Sequence, residues 1–175
     1  MRSGGGTLRE VTGDLFSQET EGLALCHCVS RCLAMGKGIA VLFKRKFGGV
    51  EELRGQQLEV GDCGRLLRRV GVSGGALVRP IYYLITKPRY FHKPTLDDLR
   101  SSLEAMRDDF CTLLAEETAT TGQGGGATPQ RPRHIAMPRI GCGLDGLSWD
   151  GNVRDLCLDV FDGTGICITV YSLGK

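Results

Sequence analysis

The chain has 175 residues, 41% hydrophobic and 24% charged, which suits one globular domain with its own core. Its 22 basic and 20 acidic residues nearly cancel, so net charge gives no reason to coat nucleic acid or to dock on an anionic membrane. The longest uncharged apolar runs, such as GIAVLF and IYYLI, are far too short to cross a bilayer, and MRSGGGTLRE has no apolar segment of the secretory kind.

TLREVTGDLF reads as a short alternating strand ending at Gly13, and GLALCHCVS as a nearly all-apolar strand at the centre of a sheet. The loop RCLAMGKG leads into the helical IAVLFKRKFGG, which Gly48 and Gly49 are placed to end. After a polar linker, GRLLRRVGV and ALVRPIYYLITK form a hairpin through SGG. Pro80 cannot donate to a ladder, so the second of these strands is expected to begin at Ile81. PTLDDLRSSLEAMRDDFCTLL is the clearest helix. Thr95 and Asp98 make a variant capping box there, and Leu99, Leu103, Met106, Phe110 and Leu113 make one buried stripe. The glycine-rich stretch 118–133 reads as a mobile loop and residues 1–7 as a disordered tail. HIAMPRI is a strand, and DGNVRDLCLDVF a helix burying Val153, Leu156, Cys157, Val160 and Phe161. ICITVYSL is a final strand. Alternating strands and helices predict an α/β fold, a three-layer α/β/α sandwich in one domain, with ligands collecting on loops at the strand ends.

Gly, at 26 residues, is about double its usual share, and three glycine-containing loops each follow a strand: TGDLF, CVSRCLAMGKGIA and RIGCGLDGL. The second runs into a helix N-terminus, a favourable place for phosphate. Neither a Walker A sequence nor a dinucleotide fingerprint is present, so tight turns remain an equal reading. Asp14 lies just past a strand end, where a carboxylate either accepts from an exocyclic amine or forms an Asx turn. Lys87 ends IYYLIT and Asp145 lies in the last glycine loop, so neighbouring strands would let amine and carboxylate meet. Solvation is the ordinary fate of such a lysine. Thiol and metal chemistry fit poorly. Cys26 and Cys28 point to one face of their strand and His27 to the other, there is no C-x-x-C pair, and Cys142 suits a tight loop. Eight cysteines with no recognisable leader are expected to be reduced thiols.

The segments VTGDLF, HCVSRCLAMGKGIAVLFKRKFGG, IYYLITK, HKPT, SLEAM and MPRIGCGLD, in this order, closely resemble the macrodomain family, in its terminal ADP-ribose protein glycohydrolase and O-acetyl-ADP-ribose deacetylase branch. That resemblance implies a mixed central sheet with ADP-ribose at the strand ends. It places Asp14 at the adenine amine with the Leu15 backbone beside it, Ser30 in the first binding loop, and Leu173 at one side of the pocket. Arg139, Ile140, Gly141, Cys142, Gly143, Leu144 and Asp145 would wrap the diphosphate and distal ribose. Lys87 would attack the anomeric carbon of that ribose, and Asp145 would assist release and resolve the adduct. The implied substrates are glutamate- or aspartate-linked ADP-ribosyl proteins and O-acetyl-ADP-ribose, with no cofactor or metal. A nuclear or cytoplasmic monomer is expected, without membrane or nucleic-acid partners, although a reader module and a nucleic-acid hydrolase stand as rivals. The 72–75 hairpin, the 118–133 loop and Gly151 look like additions to the family pattern, and Lys37 reads as solvated.

Overall fold

The computed structural model describes residues 5–72, 75–121 and 130–174. Six strands form one sheet: β1 (Thr7–Thr12), β2 (Ala24–Ser30), β3 (Cys63–Val72), β4 (Gly75–Lys87), β5 (His134–Pro138) and β6 (Cys167–Ser172). Their order across it is β1-β6-β5-β2-β4-β3. Every neighbouring pair is parallel except β3 with β4. The sheet is therefore mixed, and five strands deliver their C-terminal ends, with the loops that follow, to one edge.

Helices α1 (Ile39–Phe47) and α2 (Val50–Arg54) cover one face, and α3 (Leu96–Thr121) and α4 (Arg154–Phe161) the other. Strand alternation sorts the core between them. On β2, Cys26 packs with Tyr82 and Leu84 beneath α3 and α4, whereas Leu25 and Val29 join Phe43 and Tyr83 beneath α1. His27 lies on the Phe43 side, its ring stacked on that of Phe43 at 3.7 Å and edge-on to Tyr83 at 4.8 Å. β2 is buried on both faces, as its nearly all-apolar run demands.

Thr95 begins α3 as its spacing predicts. Its Oγ1 accepts from the Asp98 amide at 3.1 Å and donates to the Asp98 carboxylate at 2.9 Å. The buried stripe closes on Leu114, not Leu113, because the last step is four residues instead of three. α3 runs to Thr121. Arg131 is buried, donating to the Val78 carbonyl at 2.6 Å and pairing with Glu117 at 3.0 Å, so both ends of the stretch 118–133 belong to the packed structure. Thr7, at the end of the expected tail, already pairs with Cys167 in the sheet. Ser73, Gly74 and residues 122–129, on which two of the expected additions fall, lie outside the described residues.

Pro80 sits inside β4, opposite Leu67, instead of before it. Pairing with β2 starts only at Ile81, so the missing N–H falls where β4 has a neighbour on one side alone. α2 lies in the segment read as a linker, and at five residues it is too short to show a helical period. Gly151 has a local reason: its amide donates to Ser148 Oγ at 3.1 Å in a π turn (Trp149–Val153), and a Cβ there would stand 2.7 Å from that oxygen.

Candidate active site

A cavity of about 820 Å³ opens at the edge where the parallel strands end. Its walls come from the end of β2 and the following loop (Ser30, Met35–Ala40), the end of β4 and its loop (Lys87, Tyr90, Phe91, Lys93), and the glycine loop after β5 (Pro138–Gly141, Gly143–Asp145). β2 lies between β4 and β5, so the topology alone brings these loops together.

Lys87 Nζ donates to Asp145 Oδ1, and the two side chains are only 12% and 14% exposed. The expected meeting of amine and carboxylate is thus present, across one intervening strand. Ser30 stands opposite Lys87 after a register shift at the end of β2, and the Arg31 amide donates to the Lys87 carbonyl at 2.8 Å. Lys87 and the first loop are consequently fixed on one frame.

The first loop stores strain. Leu33 and Met35 adopt φ of 53° and 47°, a left-handed conformation that ordinary residues avoid. Both are buried, and their packing holds the loop in that shape. Gly38, at φ 60°, then starts α1.

The second loop uses its glycines in different ways. Gly141 and Gly146 have φ of 71° and 77°, with the Leu147 amide donating back to the Gly141 carbonyl at 2.8 Å. A Cβ on Gly141 would stand 2.9 Å from Leu147 Cδ1. Gly141→Ala is therefore expected to lower stability by about 1–2 kcal/mol, measured as the shift in urea midpoint. Gly143 has no such constraint, and a Cβ there would meet nothing within 4 Å. Lys93 Nζ donates to the Leu144 carbonyl at 2.6 Å and ties this loop to the one after β4.

Not every expected residue reaches the cavity. Asp14 is exposed after β1, its Oδ1 accepting from the Phe16 amide at 2.9 Å in the Asx turn that the sequence also allowed. Leu15 is buried beneath α1, and Leu173 is exposed after β6; neither lines the cavity. Cys142 turns inward against the core, with Sγ donating to the Ile140 carbonyl at 3.2 Å. Burial pushes its thiol up to about 11, which keeps it protonated and a poor nucleophile. Lys37 is exposed yet lines the cavity. The sequence reading missed Tyr90, Phe91 and Lys93, whose only signal was two consecutive aromatics in a polar loop.

No family model matches the chain. It is 46% identical over 172 residues to the ADP-ribose glycohydrolase OARD1 of Bos taurus, covering 98% of this chain and 95% of that protein. The Homo sapiens protein of the same name is likewise 46% identical, over 170 residues. The solved macrodomain of Thermus aquaticus DarG superposes with a TM-score of 0.63 at 26% identity, covering 96% of this chain and 99% of that one. The chain belongs to the macrodomain family, in the group of the ADP-ribose glycohydrolase OARD1. Among the described residues, no helix is long and apolar enough to cross a membrane.

Proposed function

We propose that this protein hydrolyses the ester between terminal ADP-ribose and a glutamate or aspartate side chain of a protein, and that O-acetyl-ADP-ribose is cleaved at the same site. The observation that carries the reading is the nearly buried Lys87–Asp145 pair at the wall of a cavity lined by two glycine loops. Gly143 supports it. No protein atom lies where its side chain would be, so the room there suits a phosphate or ribose lying on the backbone.

In the mechanism, Lys87 Nζ passes a proton to Asp145 Oδ1 along the existing hydrogen bond and becomes a neutral amine. It bonds to C1″ of the distal ribose as the bond from C1″ to the acyl oxygen breaks, and Asp145 delivers its proton to the departing carboxylate. Water then adds to C1″ with Asp145 as base, the C–N bond breaks, and lysine regains its proton. Free ADP-ribose and the unmodified acid are the products. Lys37 and the amides of the two loops would hold the diphosphate. Asp14, by its position after β1, would accept from the adenine amine once its Asx turn opens, with Leu15 and Leu173 beside the same end. The compartment we propose is the nucleus or cytoplasm.

The test is release of ADP-ribose from a glutamate-linked mono-ADP-ribosylated protein, run beside calorimetric binding of free ADP-ribose. Release with binding supports the hydrolase, whereas binding without release would leave a reader module. Asp145→Asn is expected to bind ADP-ribose normally and to release at least about a hundredfold more slowly. Gly143→Ala is expected to keep the wild-type unfolding midpoint while its ADP-ribose affinity falls severalfold. Unchanged affinity would remove the backbone contact from the reading.

A further inference from the structure

Seven large apolar side chains are markedly exposed among the described residues, and three of them line the cavity: Tyr90 and Phe91 at 61% and Leu144 at 65%. Water-facing aromatics gathered at the mouth of a site signal contact with something else. They are also preorganised. The Tyr90 and Phe91 rings meet edge-to-face at 5.3 Å, Phe91 packs on His92 at 4.5 Å, and Lys93 anchors the group to Leu144.

Position identifies the occupant. The group follows β4, beyond Lys87, at the side of the parallel edge opposite β1. If adenine lies toward β1 and C1″ lies at Lys87 Nζ, the acyl group leaves C1″ toward Tyr90 and Phe91. Resting on the hydrolase reading above, we infer that Tyr90 and Phe91 form a subsite for the substrate's polypeptide, in the segment that flanks the modified acidic residue. Arg89 and Lys93 are exposed around it and complement the acidic character of such a segment. The aromatics cover its apolar side chains. O-acetyl-ADP-ribose carries no polypeptide and makes little use of the subsite.

The experiment compares wild type with the Y90A/F91A double variant on four readouts: a glutamate-linked ADP-ribosyl protein, an ADP-ribosylated oligonucleotide, O-acetyl-ADP-ribose, and the Kd of free ADP-ribose. Both side chains are at the surface, so folding should survive, and an unchanged unfolding midpoint checks it. The expected result is a loss of about tenfold in kcat/KM on the protein ester, carried by KM. Hydrolysis of the acetyl ester and the Kd for ADP-ribose should stay within about twofold of wild type. Equal losses on both esters, or a weaker Kd, would assign the rings to ADP-ribose and overturn the subsite. So would no loss on either, or a loss confined to an ADP-ribosylated oligonucleotide, which would make the rings a base-stacking platform. Wild type that binds ADP-ribose but cleaves neither ester would remove the hydrolase reading itself, and the subsite with it.

Discussion

Lys87→Ala is expected to slow ADP-ribose release from a glutamate ester by on the order of a thousandfold or more. The side chain is nearly buried, hydrogen-bonded to Asp145 and fixed by β4, a placement that Lys37 and Lys93, exposed on the same cavity, do not share. Truncation also leaves the nearly buried Asp145 carboxylate without its partner, which weakens diphosphate binding by repulsion alone. Lys87→Arg separates the two effects. Arginine keeps the positive charge and the ion pair but does not deprotonate, so it cannot attack carbon. Both variants should be inactive in single-turnover assays, with ADP-ribose affinity near wild type in the arginine variant. An active Lys87→Arg protein would mean that the residue acts by charge and that the nucleophile lies elsewhere.

The second large effect is on stability. His27 is wholly buried, stacked on Phe43, and neither ring nitrogen has a hydrogen-bond partner. Burial lowers its pKa to about 3, so the folded state keeps it neutral while the unfolded chain titrates near 6.5. Above the unfolded pKa both states hold it neutral and pH has no effect through this group. Below it, the unfolded state takes up the proton first, and stability falls at about 1.4 kcal/mol per pH unit until the folded pKa is reached. Between about pH 6.5 and pH 5 this predicts a loss of roughly 2 kcal/mol, read from urea midpoints. His27→Leu, similar in volume and unable to titrate, should flatten that limb. A smaller slope of the same sign should persist, because burial and nearby Arg9 also lower His134. An unchanged slope in the variant would show that His27 protonates in the folded state.

Where the sequence spoke clearly, it did so through strong local patterns. The apolar run of β2 placed it at the sheet centre, Thr95 and Asp98 marked the start of α3, and alternation sent His27 and Cys26 to opposite faces. What it could not show came from tertiary choices. Pro80 is tolerated because β2 pairs only from Ile81, and α2 forms because Leu53 has a place in the core. The candidate site was legible at Lys87 and Asp145, since two strand ends and a resemblance pointed to them. Tyr90 and Phe91 were not, because consecutive aromatics in a loop have no period and only their place relative to Lys87 gives them meaning.

The position of β6 has a kinetic consequence. It lies between β1 and β5, so Thr7 finds its partner in Cys167 and Thr12 finds its partner in Ser172. On the ribosome, β2, β4 and β3 can pair as soon as β4 has emerged, while β1 waits for nearly the whole domain to be made. β1 joins last, by the longest loop closure in the molecule, and until then the edge of β5 stays open to strands from other chains. Crowded or slow synthesis should therefore trap this protein as an aggregate through that edge, and a chaperone that shields it should raise the folded yield more than one acting after release.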